Sequence, residues 1–312
     1  MNFIVNYKKT STTMCAIQPI WRLKDSISDD YSFNWLSKNT HPRAIEILRD
    51  GKDDKRINWY NVSVNSSAFE FQMENFDKIN WNGISDNHNP RAYELLMKNQ
   101  DKIYWPYLSA NPNAVELLEK NMDKINIYEL YRNPKAVPLI KKLSKKMKRQ
   151  FGKYIGSNHS EEAIPLIMSN IHIYRRDKML YITPNPFAID IIKDNLDYMT
   201  DTDWQALASN EHPEAIELLR YHCPVKPPFY YLVTNKNPDA FKLLMDVYKD
   251  ELKKDDFMRK HLYENPNIFD LDYDAMKQKN QWLEQELLAK VMEPSRVFKY
   301  GGLSYLNKLF SY

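Results

Sequence analysis

A short motif recurs along the chain and limits what it can fold into. Its clearest form is NPNAVELLEKNMDKINIYELYRN, from Asn111 to Asn133. The segment before it, NPRAYELLMKNQDKIYWPYLSAN from Asn89 to Asn111, matches it in frame over its whole length. A third copy, SSAFEFQMENFDKINWNGISDN, runs from Ser66 to Asn87, and weaker copies begin at His41, Asn133, Glu161, Asn185, His212, Asn237 and Asn265. The period is about 22–30 residues. Self-similarity of this kind marks a repeat array, in which one unit cannot bury its own apolar face and stacked neighbours supply the core.

The unit reads as two short helices. At Asn111-Pro112 the asparagine suits an N-cap and the proline suits the first helical position, where a missing N–H costs nothing. Glu116 lies near the positive end of the helix dipole. Ala114, Val115, Leu117 and Leu118 form an apolar stripe, and the small Ala114 permits close approach of a neighbour. Asn121 ends this helix. The link Asp123-Lys124-Ile125 has counterparts at Asp77-Lys78-Ile79 and Asp101-Lys102-Ile103, with the isoleucine placed as a hydrophobic staple before the second helix. That helix starts near Asn126 and carries a W-x-x-L-S phase. Trp59, Trp81, Trp105 and Trp204 share one slot with Phe33, Ile127 and Phe229. Leu36, Val62, Ile84, Leu108, Leu130, Ile155, Leu207 and Leu232 fill the slot three residues later. Helices of roughly ten residues are marginal alone in water, so stacking must stabilise them.

Composition excludes several alternatives. Only 6 glycines occur in 312 residues, which argues against the tight strand turns and phosphate loops that depend on glycine. The net charge of +3 is near neutral and lacks the global signature of a nucleic-acid binder. Cys15 and Cys223 suggest neither a disulfide framework nor a metal site, which fits a reducing compartment. No secretory signal is evident at the N-terminus, and no apolar run approaches the roughly 18–20 residues that span a bilayer. The expectation is a soluble intracellular protein without membrane insertion.

The copies Asn89–Asn111 and Asn111–Asn133 resemble the asparagine–proline helical repeats carried in many copies by proteins of giant (nucleocytoplasmic large DNA) viruses. That repeat has the form N-P-x-A-I-x-L-L-x-x-N-x-D-K-I-x-W-x-x-L-S-x-N. The stretch NPNIFDLDYDAMKQKN, then EPSRVFKY, is similar to the segment that often ends such proteins. The resemblance covers about residues 30–300. It weakens between Lys141 and Tyr181, where the tryptophan and the D-K-I link are missing. It implies a viral origin and a helical array, and no catalytic residue can be carried over from it.

Several side-chain groupings could carry chemistry, and each has a plainer reading. His41, His88, His159 and His212 fall just ahead of helix starts. They could form a row of metal or phosphate ligands. Turn and cap residues that recur with the unit are favoured instead, because stacked copies spread such residues apart. His222-Cys223 lacks the geometry of a nucleophile pair. Asp53-Asp54 and Asp255-Asp256 read as solvated loop charges. The tryptophan slot could stack bases. Its replacement by Ile127, which has no π-face, favours a core anchor. No phosphate-loop, zinc-protease, nucleophile-elbow or C-x-x-C motif is present.

The strongest local charge feature is KKLSKKMKRQFGK, with Lys141, Lys142, Lys145, Lys146, Lys148, Arg149 and Lys153 and no acid. It could contact phosphates, act as a nuclear-import signal or dock an acidic partner; a solvated face balanced by acids elsewhere is the alternative.

The sequence thus predicts an all-α chain, an α-solenoid of about ten short helix-turn-helix repeats. An N-terminal capping segment is expected at 1–30, the array at 31–265 with a degenerate part around 141–181, and a longer capping helix and tail at 266–312. That helix is expected over Asp274–Met292. The expected function is a non-enzymatic protein-interaction scaffold without cofactors, virion-associated or host-factor-binding, in host cytoplasm, viral factory or virion. The alternative is a nucleic-acid-binding repeat protein using 141–153.

Overall fold

The clearest copies fold as a helix, a tight turn and a second short helix. In the copy that begins at Asn111 these are Val115–Lys120, a 3-10 turn at Met122–Lys124, and Ile127–Arg132. The preceding copy has Pro90–Lys98, Gln100–Lys102 and Trp105–Leu108. The one before that has Phe69–Glu74, Phe76–Lys78 and Trp81–Asp86. Asparagine stops the first helix. The Nδ2 groups of Asn75, Asn99 and Asn121 each donate to the carbonyl four residues back, at 2.9 Å. Each bond satisfies a carbonyl that the ended helix leaves orphaned. Other asparagines start the second helix: Asn58, Asn80 and Asn126 accept backbone N–H bonds from Asn61, Gly83 and Tyr128. Ile57, Ile79 and Ile125 immediately precede these caps, in the staple position. The structure, a computed structural model, describes residues 19–27, 31–143, 152–177 and 179–292.

The register of the repeat differs from the sequence alignment. Asn89 and Asn111 share an Asn-Pro pair, yet they do different jobs. Asn89 is a true N-cap, accepting from Arg91 N at 3.0 Å. The structural counterpart of Asn111 is Asn87, two residues earlier. The helix after Asn111 starts only at Val115, behind an Ala114 cap that makes no side-chain bond. Copies therefore come with two turn lengths between the asparagine and the fully buried small residue. Three residues separate Asn111 from Ala114, and five separate Asn87 from Ala92. His41, Asn89, His212 and Asn237 occur only in the longer turn, where each caps the helix. Sequence matching followed the Asn-Pro pair, whereas packing holds the asparagine and alanine in place and lets the turn between them vary.

That asparagine repeats in every copy: Asn39, Asn65, Asn87, Asn111, Asn133, Asn158, Asn185, Asn210, Asn235 and Asn265, all 5% exposed or less. The side-chain NH2 of Asn111 donates to Ser85 O at 3.1 Å and Asn87 O at 3.0 Å, both in the copy before. Its Oδ1 accepts from Asn113 N at 3.0 Å. The same double donation joins Asn65 to Asn39, Asn87 to Asn65, Asn133 to Asn111 and Asn158 to Asn133. It continues from Asn185 to Asn158, Asn210 to Asn185, Asn235 to Asn210 and Asn265 to Asn235.

The series then closes. Asn39 donates to Tyr263 O at 2.8 Å and Asn265 O at 2.9 Å, across 226 residues of chain. These contacts join the last copy of the array to the first. Ten units make a closed circuit, and one of them is shared between distant parts of the chain. Asn265 begins it, and the helix Phe33–Leu36, which leads into Asn39, supplies its second half. Side chains support the junction. Trp35 lies against buried His261 with ring centroids 3.9 Å apart, and Lys38 meets Glu264 at 3.3 Å.

Packing follows the slots. Leu36, Val62, Ile84, Leu108, Leu130, Leu207 and Leu232 are fully buried, and Ile155 is nearly so. The aromatic slot before them is half-buried at Trp59, Trp81 and Trp105. A cation from the following link covers some of these rings: Arg56 over Phe33, Lys78 over Trp59 and Lys124 over Trp105, 4.6–5.2 Å from the centroids. The serine of W-x-x-L-S ties copies together. Ser63 donates to Trp59 O at 2.7 Å and accepts from Asn80 N of the next copy at 2.8 Å, and Ser37, Ser85 and Ser109 repeat this pattern. Gly83 is required by close approach, since a Cβ there would meet Ser63 Cβ at 2.8 Å and Tyr60 O at 2.9 Å.

The chain divides into two compact units, residues 25–268 and a second formed by 1–24 with 269–312. The first contains the circuit. In the second, the short strands β1 (Trp21–Leu23) and β2 (Phe269–Leu271) pair antiparallel, with Arg22 opposite Asp270. This pair departs from the all-helical expectation, although the described chain is mostly helical. A long helix follows at Tyr273–Val291, capped by Asp272, whose Oδ1 accepts from Ala275 N at 2.9 Å. Trp282 on this helix is 61% exposed. Among the described residues no helix is long and apolar enough to cross a membrane.

Candidate functional site

The backbone at the repeated asparagines is extended, as at Asn65 (φ −68°, ψ 106°), Asn87 (φ −75°, ψ 121°) and Asn133 (φ −70°, ψ 114°). In extended backbone successive side chains point to opposite sides. Each asparagine is turned into the protein to reach the copy before it, so the residues on either side of it are turned the other way. They meet in one cavity of about 850 Å³. Its lining includes Lys38 and Thr40 around Asn39, Asp86 and His88 around Asn87, Arg132 and Pro134 around Asn133, and Ser157 and His159 around Asn158. Val64, Ser66, Ala110, Pro184 and Lys236 come from four further copies. A cavity touched by these same two slots in eight copies lies inside the circuit.

Its charges come in both signs. Arg132 meets Glu129 of its own helix at 3.0 Å, and Lys38 meets Glu264 at 3.3 Å. Lys236 makes no ion pair among the described residues. Its neighbours nonetheless feel it. His88 is held below the ordinary imidazole value, mainly by lost hydration, with Lys236 and Arg132 adding to the effect and Asp86 opposing it. His159 is lowered for the same main reason, with Arg132 adding. Asp86 is held above the usual carboxylate value by burial, against the pull of His88 and Arg132. Both imidazoles touch solvent in the cavity, yet protein surrounds them closely enough to remove much of their water. Two tyrosines flank the region: the rings of exposed Tyr60 and half-buried Tyr107 lie 6.4 Å apart, and Tyr107 also lines the cavity.

The four histidines at helix starts thus divide. His41 and His212 are caps: Nδ1 accepts from Arg43 N at 3.1 Å and from Glu214 N at 3.3 Å. His88 and His159 share the cavity. Stacking does not keep these two apart, because the circuit closes and brings distant copies face to face. The signal was present in the sequence as an asparagine immediately before each of these histidines. Among the described residues no group of three His, Cys, Asp or Glu is placed to hold a metal ion.

The basic stretch is only partly in view. Lys141 and Lys142 end the helix Val137–Lys142 and are exposed. Lys142 pairs with Glu119 of the preceding copy, one of several ion pairs between successive first helices, such as Arg49 with Glu74 at 2.8 Å. Lys141 borders a mostly apolar cavity of about 400 Å³ between Tyr131, Ile140, Ile155 and Leu166. The ammonium of Lys153 lies 5.4 Å from the ring centre of Tyr154 and 5.5 Å from that of Tyr181. Lys145, Lys146, Lys148 and Arg149 lie outside the described residues.

The other groupings have structural roles. Asp255 caps the helix Asp256–His261, and Asp256 pairs with Arg259 at 2.5 Å and Lys260 at 2.6 Å. Asp54 pairs with Arg56 at 2.8 Å. Cys223 is half-buried, its thiol donates to Val225 O at 3.0 Å, and burial pushes its pKa up. Comparison with known proteins returns no match to any family model, curated protein or solved structure.

Proposed function

We propose that this protein is a non-enzymatic binding scaffold, an α-solenoid of ten units closed on itself. One observation supports this reading above others: the division of labour among slots. The bonding asparagine is the same in ten of ten copies, and the buried slot of the second helix is always aliphatic in the copies named above. The residues flanking the asparagine change from copy to copy. Before it stand Lys38, Val64, Asp86, Ala110, Arg132 and Ser157; after it stand Thr40, Ser66, His88, Pro134, His159 and Lys236. A frame held constant while its presented side chains vary is the arrangement that repeat proteins use to build binding surfaces. The resemblance to giant-virus repeats adds the setting: a host factor or a virion component as protein partner.

The test is a pull-down of tagged protein from the cells that make it, with and without nuclease, read by mass spectrometry. A defined protein set that survives nuclease is the expected result. A set that vanishes with nuclease would replace the scaffold reading with nucleic-acid binding through the 141–153 stretch, of which Lys141, Lys142 and Lys153 lie among the described residues.

A further inference from the structure

We propose that the cavity inside the circuit is a binding site for a small anion bearing phosphate groups. This goes beyond the scaffold reading and does not depend on it, since it concerns a solute rather than a macromolecular partner. Five basic groups reach the cavity from five different copies: Lys38, His88, Arg132, His159 and Lys236. A ligand that contacts them together needs acceptor oxygens facing several directions, which phosphate groups have and a single carboxylate lacks. The guanidinium fork of Arg132 suits two phosphate oxygens at once. The volume of about 850 Å³ falls in the range of small-molecule sites.

Two carboxylates act as internal counter-ions, Glu129 in the cavity lining and Glu264 beside Lys38. Glu264 holds Lys38 at 3.3 Å and Glu129 holds Arg132 at 3.0 Å, while Lys236 has no such partner among the described residues. An incoming anion meets Lys236 first and displaces the two carboxylates or shares their cations. Binding also changes the charge on the histidines. His88 faces Asp86, Arg132 and Lys236, and His159 faces Arg132. Lost hydration, with the nearby cations adding, holds both imidazoles below the ordinary value. A bound anion supplies the opposite field, so each takes up a proton more readily. Asp86, already held above the usual carboxylate range, shifts in the same direction. Binding is therefore coupled to proton uptake and strengthens as pH falls toward 6.

Isothermal titration calorimetry of the full chain with pyrophosphate tests this at pH 7.5 and pH 6.0, in two buffers of different ionisation enthalpy. The expected result is binding that tightens several-fold at pH 6.0 with net proton uptake. Lys236→Ala, at an exposed position that leaves the far-UV spectrum unchanged, should weaken it by about tenfold, the scale of a lost hydrogen bond to a charged group. Lys236→Arg should retain it. His88→Ala with His159→Ala should weaken binding more at pH 6.0 than at pH 7.5 and so remove most of the pH dependence. Absence of binding to millimolar pyrophosphate at pH 6.0, or unchanged affinity in Lys236→Ala, would overturn the proposal. Neither result bears on the pull-down, which alone decides the scaffold reading.

Discussion

Replacing Asn39 by alanine tests whether the circuit closes. The side chain is fully buried. Its removal strips the donor from Tyr263 O and Asn265 O and the acceptor from His41 N. Leaving a buried polar group unsatisfied costs about 1–3 kcal/mol, so three such groups, partly relieved by relaxation, amount to about 3–5 kcal/mol. That is a large share of the 5–15 kcal/mol, in round terms about ten, that stabilises a typical domain. Asn111→Ala is the internal control, because it removes the same three bonds, to Ser85 O, Asn87 O and Asn113 N. In a closed circuit the two substitutions cost the same. In an open array Asn39 would lie at a free end, and its loss would cost only its local turn bond, about 1 kcal/mol. Urea titrations followed by far-UV circular dichroism measure both variants. Hydrogen exchange of Asn39→Ala should also show lost protection around Tyr263, far away in the chain. An Asn39→Ala variant within about 1 kcal/mol of wild type, beside an Asn111→Ala variant that loses about 3 or more, would refute the closure.

Two further outcomes follow from packing and titration. Gly83→Ala forces a methyl group against Ser63 Cβ at 2.8 Å and Tyr60 O at 2.9 Å, and overpacking of this kind should cost about 1–3 kcal/mol in the same urea assay; an unchanged midpoint would show that these copies are not in close contact. His41, His88 and His159 are all held below the ordinary value of 6.5 in the folded chain. The unfolded chain therefore binds more protons just below pH 6.5, so stability is complete above that pH and falls as the solution is acidified. His41→Asn, which keeps a capping acceptor without a titrating group, should flatten part of the decline in denaturation midpoint between pH 7 and 5.5, and a profile flat in both proteins would contradict the assignment.

Much of the local structure was legible because it depends on nearest neighbours. Asn121 as a stop, Asn126 as a cap, the D-K-I link and the buried Leu130 slot all follow from capping and helical periodicity within one copy. The alignment of Asn89 with Asn111 went astray for a related reason. Asn-Pro is a strong local signal, but the position that matters is set by the buried double donation to the copy before, which Asn87 makes to Ser63 O and Asn65 O, whereas Asn89 donates once, to Ser66 O. The strand pair β1–β2 was missed because each strand is three residues long and acquires its identity only from a partner about 250 positions away.

The sequence by itself determined the unit: its two short helices, their caps, its buried slots and its recurrence. These are properties of residues within one period of each other. Tertiary structure alone decided that the tenth copy meets the first, because the small rotation from each unit to the next accumulates and no single repeat encodes the total. The same closure decides the site. His88, His159, Arg132 and Lys236 sit at unremarkable turn positions in the sequence, and only a chain of units that returns to its start directs them into one cavity.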